Sequence, residues 1–420
     1  MGEDCSPHRG RIFQRMRILL LNSLLEPYKV GGAELSVMKL ANSLAANGHQ
    51  VKLLTLEHPL RRTESQAVTN GLEILELRHY PFSLFKKNRF LPSNKVLWHI
   101  LDSISLSHQS RIKKILNDFQ PEVIHTNNLT GIGTFIWREA RRRRIPVVHT
   151  TRDFFLVCLR STMFKKNENC LTQCGKCKFF RRRILRDSQL VSSAVGISSA
   201  ILEEHLNIGY FVNSNFNRVI HNTPNKELIS KSSTPLIGLS RDADGINFLF
   251  VGQLIPEKGI EFLINIFRQG PFENEKLLIA GSGPSKFVKG LKLLASTNPN
   301  IIFLGRVNLD EINSKIDYLL VPSLWREPFG RVVFDAVNLD CKLIVSNAKG
   351  LVEAVKLTPV PSVVLETGNY LSWKHLIVSI SKKQDLNLFH SPKISLNMSS
   401  EDFLEYELLF MRMETKDCNS

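Results

Sequence analysis

Short apolar runs alternate with stretches of helical period along the 420-residue chain, which predicts an α/β protein with largely parallel sheets. Residues 17–22 read as the first strand. Residues 32–47 follow as a helix with Leu35, Met38, Ala41, Leu44 and Ala45 on one face and Gly48 as its C-terminal cap. Residues 51–56, 72–77, 123–126 and 146–150 continue the strands; 194–198, a helix at 200–206, and 219–221 close this half. The alternation restarts with a strand at 247–252 and a helix at 260–267, whose Ile260, Leu263, Ile266 and Phe267 face inward. Further strands are expected at 277–280, 301–304, 318–321, 343–346 and 363–365, and a last helix at about 400–411. The predicted fold class is α/β, with two tandem Rossmann-like doubly wound domains and a cleft between them, where such units place a ligand at the carboxyl ends of the strands. The expected divisions are an extension at 1–15, a first domain at 16–224, a linker at 225–245, a second domain at 246–395 and a C-terminal helical segment at 396–420. The first domain carries a basic, cysteine-bearing insert at about 155–187.

Charge changes this picture in one respect. The net +16 lies wholly in residues 1–224, which hold 33 Lys and Arg against 17 Asp and Glu; residues 225–420 balance. The excess concentrates at Phe85-Lys-Lys-Asn-Arg89, Arg141–Arg144 and Arg181-Arg-Arg-Ile-Leu-Arg186. Any single cluster reads as a solvated helix face, but the asymmetry between halves points to a polyanion, here an anionic membrane surface. A nucleic-acid partner is not expected, because the clusters lack interleaved aromatics and any helix-turn-helix or zinc-finger spacing. No apolar run approaches the roughly 18 residues of a membrane span. Seven clustered cysteines point to a reducing cytosol rather than a disulfide framework.

Three segments carry chemistry. Gly31-Gly32 follows the first strand and opens the first helix, so backbone and helix-start N–H groups can approach an anionic oxygen. It is not a G-x-G-x-x-G fingerprint, and nicotinamide binding is unsupported. Gly252-Gln253 ends a strand, and the following loop brings Lys258 to a helix start, a place suited to a diphosphate. Glu327 sits after another strand, in Trp-Arg-Glu-Pro-Phe-Gly; Gly330 is read as starting a helix that bears Asp335 about one and a half turns in.

In this order the three segments resemble the retaining glycosyltransferases of family four, which have the GT-B fold, over residues 17–365; the strongest matches lie at 251–259, 279–284, 303–306 and 327–335. The resemblance implies an enzyme that uses a nucleotide sugar as donor and requires no cofactor or metal. Gly31 and Gly32 would contact the diphosphate, Lys258 would neutralise the leaving phosphates, and Glu327 would hold the sugar with the backbone at Phe329 and Gly330. Gly252, Gln253 and Gly281 would belong to the donor site, Asp335 would hold the ribose, and Arg306 and Val307 would lie beside the base. The last helix would cross back to the first domain. Gln253 stands where many relatives have Arg, which leaves Arg326 or Arg331 to supply the second cation. Asp335 stands where the motif usually ends in Glu, and Arg152 stands where relatives have the histidine of a His-Asp pair. Arg152 cannot act as a base, but with Asp153 it could bind a phosphate or the acceptor. His149 reads as a core histidine. The acceptor implied is a glycan or lipid-linked intermediate of bacterial cell-surface polysaccharide or lipopolysaccharide synthesis, on the inner face of the cytoplasmic membrane.

The remaining feature is Cys158 with Cys170-x3-Cys174-x2-Cys177. The C-x3-C-x2-C spacing is that of a radical-SAM iron–sulfur site, but no barrel pattern surrounds it. Four thiols in this span are able to hold a structural zinc, or stand as free thiols. The other readings open at this point are an epimerase or phosphorylase of the same architecture and, from another class, a nucleic-acid-binding protein.

Overall fold

The apolar runs form two sheets with almost wholly parallel strands. The computed structural model describes residues 15–23, 32–56, 68–69, 71–77, 108–222, 245–309, 312, 316–384, 388–390 and 401–417. Gly31, the 85–89 cluster and nearly all of the expected extension and linker lie outside the described residues.

The first part of the chain contributes β1 (Arg17–Leu21), β2 (Gln50–Leu56), β3 (Val68–Thr69), β4 (Leu72–Leu77), β5 (Val123–Thr126) and β6 (Val147–Thr151). A small hairpin follows, β7 (Phe164–Lys165) and β8 (Glu168–Asn169), then β9 (Ser193–Gly196) and β10 (Arg218–Val219). The sheet order is β10-β9-β6-β5-β1-β2-β4-β3; the pairings β1–β2, β1–β5, β2–β4, β5–β6 and β9–β10 are parallel, and β3 runs antiparallel to β4. Ile18, Leu19, Leu20 and Leu21 are all fully buried. A parallel strand packed on both faces needs such an unbroken apolar run.

The first helix spans Gly32–Ala46 and stops as expected, with Gly48 at φ 90° and its N–H donating to Ala45. Its buried face matches the expected one at Ala41, Leu44 and Ala45 and departs from it in the first two turns. Val37, Leu40, Ala41, Leu44 and Ala45 are buried, whereas Leu35 and Met38 are only half-buried. Apolar residues occupy more than one stripe of this helix, so periodicity alone admits two phases. The Ile260–Gln269 helix has a single stripe, and Ile260, Leu263, Ile266 and Phe267 are buried as expected.

The second sheet is built from β11 (Asn247–Val251), β12 (Lys276–Ala280), β13 (Ile301–Gly305), β14 (Tyr318–Val321), β15 (Lys342–Ser346) and β16 (Ser362–Leu365). All are parallel, in the order β13-β12-β11-β14-β15-β16. Counted within the sheet this is 3-2-1-4-5-6, which reverses direction between β11 and β14 and leaves a crevice at their carboxyl ends. Phe248, Phe250, Leu263, Phe267 and Trp373 form the core beneath it.

By contact density the chain forms two compact units: Met1–His149 with Leu190–Ser192 and Glu407–Ser420, and Thr150–Gln189 with Ser193–Tyr406. The last helix, Glu401–Asp417, is longer than expected, and its second half belongs to the first unit. There Glu407 Oε1 meets His49 Nε2 at 2.6 Å with both side chains 1% exposed, and Phe410 packs edge-on to His125. Among the described residues no helix is long and apolar enough to cross a membrane.

Candidate active site

Two loops leave the crevice of the second sheet. One follows β11, passes Gly252 and forms a 3₁₀ turn at Pro256–Lys258. The other follows β14 and carries Ser323, Trp325, Arg326 and Glu327. The Leu324 N–H donates to the Glu257 carbonyl at 2.9 Å, which fixes the loops side by side. Lys258 Nζ thereby donates to Glu327 Oε1 at 2.6 Å, joining residues 69 positions apart. The other carboxylate oxygen accepts the Trp325 indole N–H at 2.5 Å and the Ser323 hydroxyl at 3.1 Å. Lys258 also lies 5.4 Å from the centre of the Trp325 ring. Glu327 is 8% exposed, so its charge is held by one cation and two neutral donors in a largely water-excluded place.

The backbone beyond Glu327 departs from the expected helix. Gly330 has φ 90°, Arg331–Phe334 is a 3₁₀ turn, and the α-helix starts only at Asp335. A side chain at Gly330 would be strained by its backbone and would meet Leu351. Gly350, in the Lys349–Val355 helix, is needed for a different reason: a Cβ there would lie 2.1 Å from the Glu327 carbonyl oxygen. No sequence motif singled out this close approach.

Gly252, Gly281 and Arg306 directly follow β11, β12 and β13. The Gly252 N–H donates to Ala280, and the Gly281 N–H donates to Gly305. Arg306 is exposed, its Nε donating to Ser282 Oγ at 2.8 Å; Val307 follows it, and Gln253 is exposed. Phe329 is buried and stacks on His221, with ring centroids 5.6 Å apart. Arg326 is paired with Glu204 at 2.8 Å. Burial lowers the pKa of Arg331, against the opposing effect of Asp335, and Arg152 adds to the lowering. Asp153 accepts the Phe155 N–H at 2.7 Å. Gly32 lies in the first unit, at the start of its helix. His149 is a core residue, bonded through Nδ1 to Thr126 Oγ1 at 2.9 Å.

The sequence did not point to Glu353. It accepts from His221 Nε2 at 2.7 Å, from the Ser199 N–H and hydroxyl at 2.8 and 2.7 Å, and from the Ala200 N–H at 3.3 Å. Burial would raise this carboxyl, but those four donors outweigh it and hold its pKa at about 2, down from 4.5. A depressed carboxyl contributes stability that is complete above its unfolded pKa and is lost as pH falls toward the folded value. The Glu353→Gln variant should therefore lose less stability than the wild type between pH 4.5 and about 2 in acid-unfolding curves.

One expectation about the insert finds no support and another needs correction. Among the described residues, no group of three or more His, Cys, Asp or Glu is arranged to hold a metal ion, which gives the zinc reading of the four thiols no support. They are free, and a hydrogen bond with Cys177 lowers Cys158 to about 5, with backbone N–H groups adding to this against burial. The same contact raises Cys177. The Arg181–Arg186 run is not one solvated cluster either. Arg181 is 1% exposed, with its guanidinium 4.4 Å from the Phe155 ring centre, whereas Arg182 and Arg186 are exposed.

Residues 30–222 match the family model Glycosyltransferase Family 4, and residues 239–388 match Glycosyl transferases group 1. An uncharacterized 42.6 kDa protein in the cps region of Klebsiella pneumoniae is 30% identical over 350 residues, covering 82% of this chain and 88% of that protein. Sucrose-phosphate synthase from Thermosynechococcus elongatus has the same fold at 19% identity, with a TM-score of 0.67 over 96% of this chain and 97% of that one. Anabaena HepE in complex with UDP and glucose does so at 16% identity, with a TM-score of 0.64 over 96% and 98%. This chain belongs to the family-four glycosyltransferases of GT-B fold, enzymes that act on nucleotide-sugar donors.

Proposed function

We propose that this glycosyltransferase moves a hexosyl group from a nucleoside-diphosphate sugar to a glycan or lipid-linked acceptor, with retention of configuration and without a metal ion, in the assembly of a cell-surface polysaccharide. The observation that carries this reading is the pairing of Lys258 with Glu327 at the β11–β14 crevice. Support for the donor comes from the UDP and glucose bound by HepE, and support for the pathway from the cps region of the Klebsiella relative.

The bond from the anomeric carbon to the leaving phosphate oxygen breaks as the acceptor oxygen approaches the same face, and the acceptor proton passes to that phosphate. Negative charge grows on the diphosphate. An ammonium has three N–H groups, so Lys258 can keep its bond to Glu327 and donate to a phosphate oxygen as well. Glu327 and the backbone N–H groups at Phe329 and Gly330 hold the sugar hydroxyls. Asp335 takes the ribose, and Arg306 and Val307 lie beside the base. Arg152 and Asp153 are assigned to the acceptor or a phosphate. The single Asp-x-Asp spacing in the chain, Asp242 and Asp244, lies outside the described residues.

Retention and metal independence are tested together by NMR of the product formed in excess EDTA. The expected product keeps the anomeric configuration of the donor at an undiminished rate; an inverted product, or a rate restored only by added magnesium, contradicts the reading.

The Gly175–Ser188 helix supports peripheral docking on the inner face of the cytoplasmic membrane. Lys178, Arg182 and Arg186 are exposed along one side of it with Phe179, which is 60% exposed. Each well-placed basic residue contributes roughly 1 kcal/mol at an anionic surface. Flotation with anionic vesicles at low salt should carry the protein upward, and failure to float removes this part of the proposal.

A further inference from the structure

We infer that Asn169 is a positioning residue for the donor-sugar end of this site, an inference that rests on the role proposed above for Glu327. Asn169 closes the β7–β8 hairpin, whose two turn residues, Lys166 and Asn167, have φ 54° and 63°. Positive φ at both positions is what a tight two-residue hairpin requires. The hairpin is anchored by the buried Met163 and Phe164 and by the Cys170 N–H donating to the Met163 carbonyl at 2.7 Å.

From this base the Asn169 amide reaches across more than 150 residues of sequence. Its Nδ2 donates to the Leu324 carbonyl at 2.8 Å, and its Oδ1 accepts the Arg326 N–H at 3.0 Å. One side chain thus imitates a peptide group bridging residues i and i+2, as in a β-bridge. The residue between them is Trp325, whose indole N–H donates to Glu327 Oε2 and whose ring lies edge-on to Phe154 at 6.4 Å. The loop is held beyond Glu327 by other contacts: Ser198 Oγ donates to the Pro328 carbonyl, and Gly350 packs against the Glu327 carbonyl. The arc 324–326 has Asn169 as its splint, and Trp325 passes that constraint to the carboxylate.

The test pairs a readout of geometry with a readout of donor binding. The chain has four tryptophans, and Trp325→Phe assigns the Trp325 indole signal in protein labelled with nitrogen-15 at the indoles. Asn169→Ala should shift that signal and weaken nucleotide-sugar binding about tenfold, the scale of two lost hydrogen bonds, while changing nucleoside-diphosphate binding little. An unmoved indole signal overturns the proposal whatever the donor result. So does a shifted signal with unchanged nucleotide-sugar affinity, if Glu327→Ala weakens that affinity in parallel. If neither variant affects it, the role given to Glu327 in the reaction falls, and with it the claim that Asn169 serves the sugar. Equal weakening toward sugar and bare diphosphate also overturns it, because the effect is then merely structural. Should Asn169→Ala not fold, Asn169→Asp, which keeps the acceptor for Arg326 and loses the donor to Leu324, is judged by the same criteria.

Discussion

Replacing Lys258 with methionine should lower turnover by about 10²–10³-fold while weakening donor binding much less. Methionine keeps the unbranched stem and removes the ammonium, and the loss is that of one well-placed donor to a developing charge. The inequality follows from when the charge appears. A nucleoside-diphosphate sugar already carries negative charge on binding, but the leaving diphosphate gains more as the bond to the anomeric carbon breaks, so the proposed role of Lys258 should show mainly in the transition state. The geometry makes a second demand. Glu327 is 8% exposed and would keep its bonds from Trp325 and Ser323, but not from a cation. Some repacking of the 323–327 loop should therefore accompany the loss of rate, and steady-state kinetics with a direct binding titration on the same variant separate the two effects. A variant whose turnover is unchanged would remove Lys258 from the chemistry.

The largest effect on stability is expected at His49. Its Nδ1 accepts the Met16 N–H at 3.2 Å, so Nε2 carries the proton that faces Glu407 at 2.6 Å. Neutral imidazole satisfies both partners, and the contact needs no charged histidine. With both side chains 1% exposed, His49→Ala would leave the Glu407 carboxylate buried without its donor. Leaving a buried carboxylate without its hydrogen-bond donor costs about 3 kcal/mol. Glu407→Gln, which keeps an oxygen for the Nε2 proton, should cost about 1 kcal/mol. Urea unfolding midpoints of the two variants should fall in that order. Equal midpoints for His49→Ala and the wild type would mean that the last helix does not depend on this bond.

The strands were readable because parallel strands covered on both faces must be apolar throughout. Residues 72–77, 123–126 and 318–321 were placed to the residue, and 247–252 to within one. The first half of the Gly32–Ala46 face was not readable, since Leu35 and Met38 satisfy the same period as Val37 and Leu40, and only packing against the sheet chooses between them. The 3₁₀ turn at Arg331–Phe334 was missed because its period, close to three, differs little from 3.6 over a single turn.

At the site, the local part of the chemistry was legible and the long-range part was not. Lys258 and Glu327 each stand in a recognisable loop, but their contact comes from the strand order that sets the ends of β11 and β14 side by side. Asn169, Ser198, His221 and Glu353 reach their partners across more than 120 residues, from segments without a motif. A single amide or carboxylate in such a segment looks like any surface polar residue until the fold brings its partner to it. The cysteine spacing was ambiguous for the opposite reason: it has the form of a ligand set, and spacing alone does not separate a metal site from free thiols.

The proposed nucleotide-sugar donor site on the second sheet is built on Lys258 and Glu327. Calorimetric titration of the purified protein with UDP-, GDP- and ADP-sugars tests it most directly. At least one of them should bind one-to-one, with a thermal stabilisation of roughly 2.7 kcal/mol at about 100 times the dissociation constant and weaker binding by Glu327→Ala. Folded protein that binds none of these sugars, and none of the corresponding nucleoside diphosphates, would contradict it.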